Sequence, residues 1–234
     1  MNFLALCRQV SQMVGTGSGV PSTVLAQTKQ MLQVVDGVRE AWVEIQDIHT
    51  NWKFLWDEFE VNHLETSLGS GVWSKQIDLR DALVFTTSLV KGVEETDFSI
   101  YKTSSGSSTL ERLRYIRDYR LFRYRNKLDT TIGTPTSIAL RPDNNLEFNC
   151  QPDTFYTVGF TGWTDPVQLA ADTDTPACLA DFHRIIVYKA AMLLSAHFEA
   201  DFPYAAWEKE YNKLLYLLER HSLPQATTYI VPLA

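Results

Sequence analysis

The chain has 234 residues, 45% hydrophobic and 21% charged, the proportions of a globular protein with a core to bury. Its formal charge of −7 excludes a surface that grips nucleic acid throughout, while permitting one that DNA passes without adhering. Cys7, Cys150 and Cys178 lack metal or redox spacing and read as idle thiols in a reducing compartment. The short apolar start is cut by Arg8, and no stretch reaches the ~18 apolar residues of a membrane span. The expectation is a soluble chain made in the cytoplasm, with no cofactor.

Phe3, Leu6, Cys7, Val10 and Val14 share a stripe at helical spacing, so a short amphipathic helix comes first. Gly15, Gly17 and Gly19 follow. A phosphate-binding loop needs a preceding strand and a terminal lysine to neutralise phosphate. This one follows a helix and runs into Val20 and Pro21, so it reads as a helix connection. A second helix is predicted over about 23–48, with Met31, Val35, Val38, Trp42 and Ile45 stepping by four and three. Gly37 inside it costs about 1 kcal/mol relative to alanine, a cost with a use where another helix crosses closely. Trp52, Phe54, Leu55 and Trp56 then form an aromatic cluster that reads as a core plug.

Strands follow, with weak boundaries: 58–62 alternates, Gly69 and Gly71 mark a turn, and Val84, Phe85 and 98–101 are further candidates. Glu94, Glu95 and Asp97 read as a solvated acidic loop, and 103–109, rich in serine, as a mobile tip. Residues 112–127 hold a third of the 21 basic residues: Arg112, Arg114, Arg117, Arg120, Arg123, Arg125 and Lys127, interleaved with Tyr115, Tyr119, Phe122 and Tyr124. That mixture suits nucleic acid through phosphate contact and stacking. It also suits a short strand and a helix near 118–126, with aromatics inward and arginines toward solvent or the acidic surface of a neighbouring subunit.

Ser137 to Leu140 and Leu146 to Cys150 form a hairpin about the turn residues Pro142 to Asn145. The stretch 155–163 is a further strand, so the middle of the chain reads as a small antiparallel sandwich or barrel. Asp172 to Pro176 is a polar spacer that returns the chain to helices. One helix runs over about 177–198, with Ile186, Ala190, Leu193 and His197 on one side. The last begins near Asp201 and Pro203, with Trp207, Tyr211, Leu214 and Leu218 along one face. After Pro224 comes an extended apolar end, in which Tyr229, Ile230, Val231 and Leu233 either fold back or dock on another subunit or protein.

The sequence has no nucleophile elbow and no His-Glu-x-x-His spacing among His49, His63, His183, His197 and His221, so no catalytic or metal residue is assigned. The carboxylate pairs Asp172/Asp174 and Asp57/Glu58 leave open a cell-wall-degrading enzyme, which would need acids gathered across a cleft.

Taken in order, several runs resemble the head-to-tail adaptor (connector) proteins of tailed bacteriophages, of the short-tailed type. They are Trp42 to Ile48 with Asn51 to Leu55; Tyr115 and Ile116; Phe122 and Arg123; and Gly133 to Pro135 with Ser137 to Ala139. Pro152 and Asp153, Tyr156 to Val158, Trp163, Pro166, Leu169, Asp174 to Pro176, Phe182 and His183, Ile185 to Val187, and Ala190 with Ala191 complete the series. The serine-rich and arginine-dense stretches depart from that pattern. The resemblance implies an α+β fold: a bundle from 1–52 and 176–223, an inserted antiparallel β domain over 53–175, and an extended C-terminal tail over 224–234. It also implies a non-enzymatic dodecameric ring in the virion neck, docked on the portal protein and offering a platform to tail or nozzle proteins. Double-stranded DNA would pass through its lumen, and no membrane is involved. Tyr229, Ile230, Val231 and Leu233 are then expected at the portal, and the arginines from Arg112 to Arg125 between subunits.

Overall fold

The computed structural model describes residues 1–16, 19–62, 75–79, 90–103, 110–127, 131–143, 145–195 and 203–224. In chain order its elements begin with α1 (Phe3–Val14), α2 (Lys29–Asp47), β1 (Trp56–Asn62), β2 (Gln76–Asp78), β3 (Val90–Lys102), β4 (Glu111–Arg112), β5 (Arg114–Tyr115) and α3 (Tyr119–Asn126). Then come β6 (Ile132–Gly133), β7 (Ser137–Leu140), β8 (Asn145–Phe148), β9 (Gln151–Pro152), β10 (Tyr156–Thr164), α4 (Arg184–Ser195) and α5 (Tyr204–Ser222). The mixed α+β class is as expected, with helices from both ends of the chain flanking a β region. Two compact units result: 1–55 with 166–234, and 56–165.

In the helical unit α1 buries its predicted stripe, begins on the Asn2 side chain, which accepts from the Ala5 amide at 2.9 Å, and ends at a left-handed Gly15. α4 is apolar nearly all round, burying Ile185, Ile186, Val187, Ala190, Ala191, Met192 and Leu194, and packs against α1, α2 and α5. An all-round apolar helix belongs at the centre of a bundle. Gly37 of α2 is where α4 comes close, since a Cβ there would meet Leu194 at 3.2 Å. α5 adds Trp207, Tyr211 and Leu218, with Leu214 half-buried. At the exit of α2, Phe54 stacks between Trp42 and Trp52, as the core-plug reading expects. The exception is Trp56, which starts β1 and is exposed.

Three boundaries differ from expectation. α2 begins at Lys29, not near 23, because the Asp172 carboxylate accepts from the Val24 amide at 2.6 Å and the Thr23 hydroxyl at 3.1 Å. The chain then turns through left-handed Ala26 before the helix can start. α4 begins at Arg184, not Ala177, after a 3-10 turn at Ala180–Phe182. Residues 166–175 lie with the helical unit, whereas the sequence puts them in the β domain. They are held there as a strap: Gln46 bonds both the amide and the carbonyl of Val167, Arg39 donates to the Leu169 carbonyl, and Phe3 donates to that of Asp174.

In the β unit one sheet has the order β1-β10-β3-β4 and a second β2-β8-β7-β5, with β6 and β9 as a separate pair. Phe59, Phe98, Val158, Phe160, Ile138, Leu146 and Phe148, from both four-stranded sheets, share one buried core, which makes the unit a sandwich. It is not wholly antiparallel, since β5–β7 and β6–β9 are parallel pairs. A parallel pair requires a crossover, and α3 lies on the connection from β5 to β7. The acidic run expected in a loop instead lies on β3, at its bulge opposite Thr161.

Candidate functional site

A dense basic surface of the β unit is built around α3. The Asp118 carboxylate caps the helix, accepting from the amides of Arg120 and Leu121 at 3.0 and 3.2 Å. Phe122 is fully buried, and Tyr119 donates its phenolic proton to Glu147 at 2.8 Å. Burial, reinforced by Glu147, raises the Tyr119 phenol above its ordinary pKa and keeps it a donor. With those two side chains fixing the roll of α3, Arg120, Arg123 and Arg125 face solvent and Tyr124 stands 88% exposed among them.

Arg112 and Arg114 are exposed on β4 and β5, and Arg117 pairs with Glu95 at 3.1 Å. Arg114, Arg120, Arg123 and Arg125 form no ion pair with a described residue. The structure thus gathers three of the six candidate arginines on one helix and sets the others on the strands and turn before it. Beside α3 lies a cavity of about 480 Å³, lined by Lys75, Arg123, Lys127, Arg141, Asp143 and Glu147. Arg141 reaches Asp143 at 3.0 Å and Glu147 at 3.7 Å, while its Nε is buried without a hydrogen-bond partner among the described residues. Sequence reading missed Arg141. The Arg141-Pro142-Asp143 turn signalled a hairpin but not what its cation would face.

Tyr229, Ile230, Val231 and Leu233 lie outside the described residues, as do His63 and His197. Several of the other titratable groups singled out by the sequence sit in structural bonds. Buried His183 accepts from the Met1 ammonium at Nδ1, 2.6 Å away, and donates from Nε2 to the Cys178 carbonyl at 3.0 Å. His49 joins Glu219 of α5 at 2.9 Å. Asp172 holds residues 23 and 24, and Asp174 accepts from the Ala170 and Ala171 amides, which lower its carboxyl pKa. Burial pushes the Cys7 and Cys178 thiols up to about 12, leaving them protonated and weakly nucleophilic. Among the described residues no three His, Cys, Asp or Glu side chains converge as metal ligands, and no helix is long and apolar enough to cross a membrane.

What these surfaces belong to is decided by the whole-chain comparison: the family model for the SU10 adaptor protein matches residues 1–231. The chain belongs to the SU10 adaptor protein family. No curated protein matches it. Membership makes it a structural adaptor protein of a phage virion, in line with the resemblance in its ordered motifs. In this SU10 adaptor chain the basic α3 surface is the conspicuous candidate for contact.

Proposed function

We propose that this SU10 adaptor protein is a head-to-tail adaptor subunit of the short-tailed phage type, without catalytic activity. It assembles as a dodecameric ring under the portal in the virion neck, extends the DNA channel and gives the tail or nozzle proteins their platform. The observation that carries this reading is the family match over residues 1–231. Arg112, Arg114, Arg117, Arg120, Arg123 and Arg125 serve contacts between neighbouring copies, and Tyr229, Ile230, Val231 and Leu233 reach the portal. The acidic balance suits a lumen along which DNA slides.

Mass photometry of the chain with purified portal tests the ring. The expected result is a discrete increment in mass on the portal, and a portal that stays bare overturns the reading. Deleting 225–234 should leave a folded protomer that no longer joins the portal, and undiminished joining would remove the tail from the contact.

A second reading, nucleic-acid binding, draws on Arg120, Arg123 and Arg125 around exposed Tyr124. Electrophoretic shift at two salt concentrations separates the two. The adaptor predicts weak binding at physiological salt, and tight, salt-steep binding would favour the second reading.

A further inference from the structure

The two outer faces of the β sandwich carry groups of opposite charge that form no ion pair among the described residues. On the β1-β10-β3-β4 sheet, Phe59, Val61, Val158 and Phe160 point into the core. Strand alternation therefore turns Glu58 and Glu60 outward, with Asp57 exposed at the start of the same edge strand. Glu60 accepts from Tyr101 at 3.1 Å, and Glu94 accepts from Thr161 at 3.2 Å. None of these four carboxylates pairs with a cation among the described residues, and Arg112 stands at the opposite edge of their sheet. The second sheet is different. Its outward Glu147 is engaged by Tyr119 and Arg141, and Asp143 by Arg141, so these two acids are already satisfied. Arg114, Arg120, Arg123 and Arg125 remain exposed and form no ion pair with a described residue.

Carboxylates on an edge strand also bar unwanted strand addition. That role does not account for a matching excess of unpaired guanidinium groups across the same small sandwich. We infer that the acidic β1 edge of one copy, at Asp57 and Glu58, meets the basic α3 face of the next, at Arg120, Arg123 and Arg125. The contact joins two different patches, so a joined pair still has one acidic face free at one end and one basic face free at the other. Such head-to-tail contacts generate rings when the rotation closes. Complementary potential sets register and excludes the two like-charged pairings. The inference rests on the ring reading above and names the surfaces that would build it.

Charge swapping tests it with the full-length chain and portal. Variant A carries Asp57→Lys and Glu58→Lys, and variant B carries Arg120→Glu, Arg123→Glu and Arg125→Glu, all at exposed positions. Each alone opposes like charges and should lose ring assembly by about tenfold or more at low salt. An equimolar mixture restores attraction at every contact, because A then alternates with B, as an even-numbered ring allows. It should recover rings near the wild-type yield, which also shows that both variants fold. Rings from A or B alone at the wild-type yield would overturn the inference while leaving the ring reading intact, as would a mixture that fails where wild type assembles. Failure of wild type itself to assemble overturns both.

Discussion

Gly162 sits at the β10 bulge so close to β3 that a Cβ would overlap the Gly92 carbonyl oxygen, a backbone atom that cannot turn aside. At Gly159 the nearest atom is the Ser99 hydroxyl oxygen, 2.9 Å from a built Cβ, and a side chain can rotate away. Gly162→Ala should therefore cost about 1–3 kcal/mol in urea unfolding, with Gly159→Ala well below it. Equal losses would remove the close approach as the cause. His183 offers a second test. Burial first, and then the neighbouring ammonium, lower its pKa, outweighing the Cys178 carbonyl, so the ring folds neutral. The unfolded chain binds the extra proton near the ordinary value of about 6.5, so this contribution is complete above that pH and is lost as pH falls below it. His183→Gln should flatten the fall of the urea midpoint between roughly pH 7 and pH 5.5. An unchanged slope would place the acid sensitivity elsewhere. Neither residue declared its role in the sequence, because a bulge register and a contact across 182 positions leave no local pattern.

At the scale of elements, what could be read was what has a period. The stripes of α1, α2 and α5 and the hairpin β7–β8 follow from apolar spacing and turn chemistry, and those residues are buried where the pattern puts them, apart from half-buried Leu140 and Leu214. The strap at 166–175 has no period, so the sequence assigns it to the β domain and marks only Asp172 to Pro176 as a polar spacer. Its order comes from polar groups brought from afar, through Gln46, Arg39 and Asp172. The same reach explains the late start of α2, since Asp172 pins residues 23 and 24 before helical turns can form. Asp172→Ala leaves the Val24 amide without its acceptor and should cost about 1–3 kcal/mol. Hydrogen exchange at Val24 is the sharper readout: protection should drop in Asp172→Ala and survive in part in Asp172→Asn, which keeps an acceptor oxygen. Full protection in the alanine variant would mean that the strap is held without this bond.

For the whole molecule, the arginine-dense segment could be seen in the sequence as a basic strip but not as one face of a sandwich. Its partner across the sheets, the acidic β1 edge, lies more than fifty residues earlier in the chain. The inserted character of 56–165 has a physical basis in its first and last strands. β1 and β10 are antiparallel neighbours, with Trp56 paired to Trp163, so the incoming and outgoing chains sit about 5 Å apart. An insertion whose ends meet imposes little loop-closure cost on the helices that receive it. Its core, from Phe59 to Phe160, is supplied from within the unit. Residues 56–165 expressed alone should therefore unfold cooperatively, with a strand-type circular dichroism spectrum. Joining residue 55 to 166 through a short glycine-serine link should leave a helical protein in which Gly37 and Leu194 still meet. A β fragment that stays unfolded would mean that the helical unit supplies part of its stability, and the excised helical protein would then report how much of that support is mutual.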